Sequence, residues 1–280
     1  AVARAMRLIA DGVIDREGVA GVATRLGYSE RQVHRLLLAE VGAGPLALAR
    51  AQRAQSARVL VETTDLRLAD VAFAAGFASV RQFNDTVREV FATTPTELRR
   101  RAHHAELSAP GVVILRLAVR SPFAGAELVA FLGVRAVPGV EEAVDGTYRR
   151  TLSLPNGTGV LALTPGADGV HATLRLDALS DLTTAVHRAR RLLDLDADPQ
   201  SVAELLATDP ALTGTVRATP GRRVPGHVDG AELAVRAVLG QQVTVHGART
   251  LAARLVARLG KPLDAPDGGL THRFPDPGAI

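Results

Sequence analysis

The sequence contains no cysteine and no tryptophan, a single lysine, and only 3% aromatic residues. The absence of cysteine excludes disulfides, cysteine-ligated zinc and a thiol nucleophile from these residues. The scarcity of aromatic rings excludes a surface on which many nucleic-acid bases stack. No apolar run reaches the roughly 18 residues that a membrane-spanning helix needs, and no basic-then-apolar leader opens the sequence. We therefore expect a cytoplasmic protein that has no membrane partner.

The positive charge is concentrated in the first third of the chain. The 280 residues suit two or three domains, and a hydrophobic fraction of 47% is enough to build their cores. Residues 1–101 hold 15 arginines against 11 acidic residues, whereas residues 102–280 hold 18 basic and 18 acidic residues. Arginine suits bidentate contacts with phosphate or guanine, although genome composition alone can also favour arginine over lysine.

Residues 1–101 show helical periodicity almost throughout. An amphipathic stripe at the start consists of Ala5, Leu8, Ile9, Gly12 and Val13. A short helix is predicted over 19–26, ended by Gly27 and followed by Ser29 at an N-cap position. The next helix would bury Val33, Leu36, Leu37 and Val41. A short helix, a glycine turn and a second helix with a polar, arginine-bearing face form a helix-turn-helix pattern.

A second copy of this pattern follows in the same third of the chain. A helix over 68–75, a turn at Gly76 and a cap at Ser79 precede a helix over 80–91. That last helix would bury Phe83, Val87, Val90 and Phe91. One long helix over 45–61 lies between the two copies and would set their separation. Two such units can enter successive major-groove segments of duplex DNA.

The polar faces of the two second helices supply the predicted DNA contacts. The residues on these faces are Arg31, Gln32, His34, Arg35, Arg81, Gln82, Asn84, Asp85 and Arg88. We expect chiefly Arg31, His34, Arg35, Arg81 and Gln82, which lie near the helix N-termini, to reach base edges. The residues expected at phosphates are Arg53, Arg58, Arg88 and Arg99.

Residues 68–100, LADVAFAAGFASVRQFNDTVREVFATTPTELRR, resemble the second helix-turn-helix of AraC-type regulators. The segment ends on the F-x-x-T-P-x-E-x-R signature of that family, formed by Phe91, Thr94, Pro95, Glu97 and Arg99. The resemblance extends over about residues 3–101 and implies a transcription-regulator domain. Asp85 departs from the pattern, since such regulators often carry a basic or neutral polar residue there.

The middle of the chain changes to an α+β pattern. Residues 102–110 are predicted to be a polar linker, whose adjacent His103 and His104 lack any further ligand for a metal. A strand over 112–119, a helix over 124–132, three alternating strands and a helix over 182–193 follow. The three strands are predicted over 148–154, 160–164 and 170–176, joined by hairpin signals at Asn156-Gly157 and at 165–169.

The last third is predicted to be helical over 199–260, apart from a loop over 220–226. A helix that begins near Asp229 reaches Gly240, Gln241 and Gln242, and another amphipathic helix follows. The two amides at this glycine-marked junction either cap and cross-link it or face a partner.

Residues 224–256, VPGHVDGAELAVRAVLGQQVTVHGARTLAARLV, are similar to the opening helices of AlkA-like, inducible bacterial 3-methyladenine DNA glycosylases. The similarity extends over about residues 110–280 and implies a TATA-binding-protein-like α+β domain ahead of those helices. It also implies that a target nucleotide is flipped into a pocket lined by Phe131. Gln242, beside Gln241, would fill the gap left in the base stack, where a relative has leucine. Core packing for Phe131 and junction capping for the two glutamines are the alternative interpretations.

The catalytic elements of such glycosylases are missing from these 280 residues. They comprise a hairpin of pattern L-x-G-[IV]-G-x-x-T-A, whose amides hold a phosphate, and an aspartate that stabilises the positively charged sugar as the base leaves. No G-x-S-x-G, P-loop or H-E-x-x-H motif replaces them. We predict no catalytic residue, cofactor or metal in this chain. Since it starts at Ala1 and stops at Ile280 without polar tapering, we expect a piece of a longer glycosylase.

The predicted architecture is multidomain and mainly α, with one α+β domain. A tandem helix-turn-helix domain over 1–105 precedes a glycosylase N-terminal α+β domain over 106–197. The opening helices of a helix-hairpin-helix glycosylase domain follow over 198–280. The predicted function joins promoter recognition to base-excision repair of alkylated DNA, with duplex DNA and RNA polymerase as partners. The alternative is a pure AraC-type regulator whose C-terminal part senses an effector.

Overall fold

The computed structural model describes residues 1–64, 66–101 and 112–280. These residues form two compact units. The first contains the described part of Ala1–Pro110 together with Ala178–His187, and the second contains the described part of Gly111–Asp177 together with Arg188–Ile280. The predicted linker with His103 and His104 lies outside the described residues. No helix in the described ranges is long and apolar enough to cross a membrane.

The first unit begins with three helices, α1 (Val2–Ala10), α2 (Val13–Leu26) and α3 (Glu30–Val41). The prediction that one stripe continues through Gly12 is wrong, because Gly12 adopts a left-handed conformation with φ 72° and separates α1 from α2. Gly18, at φ 68°, introduces a kink into α2, and the part of α2 after the kink corresponds to the short helix predicted over 19–26. Val41 is exposed rather than buried, because it lies in the last turn of α3.

The second half of this unit contains α4 (Pro45–Thr63), α5 (Leu68–Ala74), α6 (Val80–Phe91) and α7 (Pro95–Arg101). The long connecting helix and the second helix-turn-helix are thereby confirmed. Phe83 and Val87 are buried in α6, and the Phe83 ring meets that of Phe77 edge to face, with centroids 5.6 Å apart. Val90 was predicted to be buried but is 47% exposed, on the outer side of the last turn of α6.

The two helix-turn-helix copies share one capping arrangement. Ser29 accepts a hydrogen bond from the backbone N–H of Gln32, and the Gln32 side chain accepts one from the backbone N–H of Ser29. Ser79 likewise accepts from the backbone N–H of Gln82, whose side chain accepts from the N–H of Ala78. Each pair satisfies N–H groups that a helix start leaves without partners, which explains why α3 and α6 begin where they do.

A five-stranded antiparallel sheet forms the centre of the second unit, in the order β1-β5-β4-β3-β2. The strands are β1 (Val112–Leu117), β2 (Glu141–Val144), β3 (Thr147–Leu154), β4 (Gly157–Gly166) and β5 (Gly169–Leu176). The predicted hairpins are confirmed by the pairing of Leu154 with Gly157 and of Gly166 with Gly169. Strand β2 was not predicted, because its residues Glu141–Val144 are half acidic.

The remaining α-helices of the described residues are α8 (Gly125–Val134), α9 (Leu182–Leu192), α10 (Pro199–Leu206), α11 (Pro210–Ala218), α12 (Gly230–Leu239) and α13 (Val245–Leu259). Asp198, Asp209 and Asp229 each cap the helix that follows them. A hairpin of β6 (Lys261–Asp267) and β7 (Leu270–Arg273) follows, which the sequence did not predict because β6 contains two prolines. The predicted fold class, mainly helical with one α+β domain, is confirmed.

Replacing Ser79 with alanine removes the hydroxyl that caps α6. We expect the free energy of unfolding to fall by about 1 kcal/mol, because one helix-start N–H loses its acceptor. Urea unfolding followed by circular dichroism measures this change. Ser79→Asp is the matched control and should retain most of the stability, since aspartate caps helices as well as serine does. Equal loss in both variants would contradict the capping role.

Candidate nucleic-acid interface

The first recognition helix, α3, exposes all four of its predicted DNA contacts: Arg31, Gln32, His34 and Arg35. The His34 ring lies beside Gly44, so that a Cβ atom on Gly44 would come within 2.7 Å of Nε2. The glycine therefore leaves the space that the imidazole ring occupies. Because α3 presents two arginines and a histidine on one exposed face, this face is suited to a polyanion.

The second recognition helix, α6, also directs its predicted contacts outwards. Arg81, Gln82, Asp85 and Arg88 are exposed, and Asn84 is half-buried. The Arg81 side chain is 93% exposed and that of Asp85 is 59% exposed, with 3.9 Å between Arg81 Nε and Asp85 Oδ2. An ion pair this open is weak, so both side chains can turn towards a ligand.

The side chains of Gln32 and Gln82 also cap the helices to which they belong, which was not predicted from the sequence. The Oε1 atom of each glutamine caps its own helix, accepting from Ser29 N at 2.8 Å and from Ala78 N at 3.1 Å. The S-x-x-Q spacing at the two helix starts was the available signal. These bonds leave the amide nitrogens, which are donors only, to face a ligand.

Three of the four arginines predicted at phosphates make contacts inside the first unit. Arg53 pairs with Asp15 and lies over the Phe77 ring. Arg58 pairs with Glu62 at 2.8 Å and lies over the Phe91 ring. Arg99 donates to the carbonyl oxygen of Thr64 at 3.4 Å. These contacts give the three side chains a role in joining the helices, whereas Arg88 is exposed on α6.

In the second unit, the junction between α12 and α13 presents both predicted wedge residues. Gln241 and Gln242 are exposed, and Gln242 has φ 59° in the left-handed region. A non-glycine residue in this region stores backbone strain of about 1–2 kcal/mol. The Thr244 side chain accepts from the N–H of Gly247 and caps α13, so the start of α13 does not depend on the two glutamines for its cap.

A cavity of about 220 Å³ lies beside this junction. Its wall includes Gly240 and Val243 from the junction and Arg135, the residue that follows α8. Two further arginines, Arg236 and Arg249, complete its polar lining. Phe131 is 43% exposed on α8, and the Arg135 guanidinium carbon lies 3.6 Å from its ring centroid. Phe131 is therefore not a core residue, and the arginine-lined cavity is a finding that the sequence did not predict.

Three buried charges and the partly buried Arg236 fix α12 against the sheet. Arg150 donates to Glu141 at 2.9 Å and to Glu232 at 2.6 Å, while Arg236 donates to the same two carboxylates at 2.9 and 3.0 Å. The Arg150, Glu141 and Glu232 side chains are only 3–8% exposed. Tyr148 also donates to Glu141, at 2.6 Å. Two carboxylates and two guanidinium groups balance one another, as burial of charge requires.

The surroundings of Glu141 and Tyr148 shift their pKa values in opposite directions. Burial would raise the pKa of Glu141, but Arg150, Arg236 and the hydroxyl of Tyr148 together hold it below its ordinary value. Burial raises the pKa of Tyr148 well above its ordinary range, and the Glu141 carboxylate raises it further. Glu141 is thus ionised and Tyr148 neutral at physiological pH.

Two contacts continue from this network to the cavity wall. Arg236 Nη2 donates to the Arg135 carbonyl oxygen at 3.0 Å, and Arg249 Nε donates to that of Ala136 at 2.7 Å. Helices α12 and α13 are thereby tied to the segment that follows α8, and the junction between them is held in place. Across the described ranges, no group of three or more histidine, aspartate or glutamate side chains is arranged to hold a metal ion.

Two family models match the chain: a helix-turn-helix domain over residues 22–101 and the AlkA N-terminal domain over residues 114–229. The chain therefore joins a DNA-binding domain of the AraC-type helix-turn-helix class to an AlkA-type N-terminal domain. Both resemblances noted in the sequence are confirmed. A regulator with only an effector-sensing C-terminal part has no use for the second domain, so that alternative is not supported.

The similarity to individual proteins follows the same order. The chain is 58% identical over 277 residues to the probable bifunctional transcriptional activator/DNA repair enzyme AlkA of Mycobacterium tuberculosis, covering 98% of this chain and 56% of that protein. DNA-3-methyladenine glycosylase 2 of Escherichia coli is 35% identical over 147 residues, which cover 51% of this chain and 49% of that protein. The HTH-type transcriptional regulator GlxA of Rhizobium meliloti is 33% identical over 102 residues, which cover 36% of this chain and 31% of that protein. The chain spans about half the length of the first two relatives.

Replacing Arg150 with methionine leaves Glu141 and Glu232 buried with one guanidinium group fewer. We expect a loss of about 3–5 kcal/mol in the free energy of unfolding, measured by urea denaturation, because a buried charge loses its partner. Arg175→Met is the control, since Arg175 is 45% exposed and pairs with Asp267 at 3.3 Å. Its loss should stay within about 1 kcal/mol. Similar losses in both variants would contradict the importance of the buried network.

The lowered pKa of Glu141 makes stability depend on acid. Because the pKa is lower in the folded than in the unfolded chain, Glu141 stabilises the fold above about pH 4.5, the ordinary pKa of glutamate. This contribution is lost as the pH falls through the folded-state pKa. Unfolding free energies measured from pH 6 downwards should therefore fall less steeply in Glu141→Gln than in the unaltered chain. Parallel curves would show that Glu141 does not contribute.

Proposed function

We propose that this chain is the DNA-binding part of an alkylation-response protein that joins promoter recognition to the repair of alkylated purines. The observation that carries the proposal is the order of two domains along one chain. The matched helix-turn-helix domain precedes the matched AlkA N-terminal domain, and the M. tuberculosis relative described as an activator and repair enzyme matches 98% of this chain.

In the first unit, α3 and α6 are proposed to enter the major groove of promoter DNA. Arg31, His34, Arg35 and Arg81 would contact base edges, and Arg88 a phosphate. The exposure of these side chains and the capped starts of both helices support this role. RNA polymerase is the proposed partner at the promoter, and the cytoplasm the proposed compartment.

In the second unit, the α12–α13 junction is proposed to insert into alkylated duplex DNA. Gln242, with Gln241 beside it, would fill the space left by a flipped nucleotide, and Phe131 would line the pocket for the base. The exposure of all three side chains supports this assignment, as does Arg135, which lines the cavity at the junction and lies over the Phe131 ring. Arg135 and Arg249 on the cavity wall supply positive charge that suits the phosphates flanking a flipped nucleotide, whereas the charge of Arg236 is balanced by Glu141 and Glu232.

Excision of the base is not proposed for these 280 residues. Cleavage of the glycosidic bond builds positive charge on the sugar, and a carboxylate must lie beside that charge. The two carboxylates that contact Arg236 of the cavity wall, Glu141 and Glu232, are already neutralised by Arg150 and Arg236. The chain is therefore proposed to bind DNA and to depend on other residues for catalysis.

The proposal is tested by selecting duplexes from a random library with the full 280-residue chain. Arg81→Ala should weaken binding to the selected duplex by about 1–3 kcal/mol and random duplex by less, because a base-edge contact is lost. Arg116→Ala, which removes an equal charge from an exposed position on β1, is the control. A chain that binds no duplex at low salt would overturn the proposal, and equal weakening on both duplexes would limit Arg81 to a phosphate.

A further inference from the structure

The two recognition helices share one frame, so that their residues can be compared position by position. Both begin with a serine cap, have arginine two residues later and have the capping glutamine three residues later. The first core residue after the cap is Val33 in α3 and Phe83 in α6, and the next is Leu37 in α3 and Val87 in α6. Because caps and core positions coincide, the exposed faces coincide as well.

One position in this frame carries opposite charges in the two helices. Six residues after the cap, α3 has Arg35 and α6 has Asp85, and both are exposed. In α3, Arg35 lies one turn after Arg31, which makes the face doubly positive. In α6, Asp85 lies one turn after Arg81, with 3.9 Å between the charged groups. That separation is longer than a hydrogen bond, so the carboxylate oxygens keep their lone pairs free to accept.

A carboxylate on a DNA-facing surface limits what it can contact. Phosphates repel it, and among the base edges of the major groove it can accept only from an amino group. Adenine N6 lies next to the acceptor N7, which repels a carboxylate, whereas the major-groove edge of cytosine presents the N4 amino group and no acceptor. The chemistry therefore favours cytosine.

We propose that Asp85 is a specificity-determining residue that accepts a hydrogen bond from a cytosine amino group in the major groove. Arg35, in the same position of α3, supplies affinity through a phosphate or a guanine instead. The inference rests on the proposed function, since it assumes that α6 enters the groove. The two helices then differ at this position: α3 presents a positive charge, whereas α6 presents a carboxylate that selects among bases.

The test is sequence selection from a random duplex library by the full chain and two variants, Asp85→Asn and Asp85→Ala. The unaltered chain should select cytosine at one position about tenfold over the other bases. Asp85→Asn should shift that preference towards adenine, because an amide both donates and accepts and so matches adenine N6 and N7. Asp85→Ala should leave no preference there. Glu40→Gln, an equal change in charge at an exposed position late in α3, is the control and should select as the unaltered chain does.

Salt dependence gives a second, independent readout. Arg35→Ala should reduce the slope of log affinity against log salt concentration by about one if Arg35 meets a phosphate, whereas Asp85→Ala should not reduce it. Identical base preferences in all Asp85 variants would overturn the inference while leaving DNA binding intact. If Asp85→Ala lost its preference only at the base pair where Arg81→Ala also loses it, the inference would be overturned too, since Asp85 would then merely orient Arg81. Failure of the unaltered chain to bind any duplex would instead overturn the proposed function.

Discussion

The second unit depends on a balance of charge inside its core. Arg150 on β3 donates to Glu141 on β2 and to Glu232 on α12, and Arg236 on α12 donates to the same two carboxylates. Burying these charges separately would be prohibitive, but together they satisfy one another and Tyr148. The same group determines where α12 lies, because Arg236 also holds the Arg135 carbonyl. The position of the exposed junction after α12 is therefore a consequence of electrostatics in the core rather than of apolar packing alone.

In the first unit, the orientation of each recognition helix is determined by residues close to it in sequence. Each recognition helix begins at a serine whose hydroxyl and a glutamine amide satisfy the first backbone N–H groups. The core side chains that follow then fix the rotation of each helix about its axis. As a result, the outward face of α3 or α6 is defined by only a few neighbouring residues. Side chains on that face can differ between the copies without disturbing the frame, as Arg35 and Asp85 do.

This contrast explains what the sequence could predict. Caps, glycine turns and helical periodicity act over a few residues, so both helix-turn-helix units and the β3–β4–β5 hairpins were predictable. The helix break at Gly12 was missed because apolar periodicity continues across it. The charge network could not be predicted, since Arg150 and Glu232 are 82 residues apart in sequence. Only the spacing of Glu232 and Arg236, one helical turn apart, gave a local signal. The exposure of Phe131 and of the junction amides also required the structure, because a motif indicates a role without fixing an orientation.

The backbone of Gln242 has a consequence for how this position can vary. A left-handed conformation favours glycine, yet glycine would have no side chain to extend from the junction. A β-branched residue would fit this backbone poorly, and asparagine would tolerate it but is shorter. In the proposed role of Gln242, stability and function therefore conflict. Glycine would adopt this backbone with least strain but could not extend from the junction, whereas a longer side chain extends but stores backbone strain. Few side chains would meet both demands, so in its proposed role this position would give up folding free energy for contact with DNA.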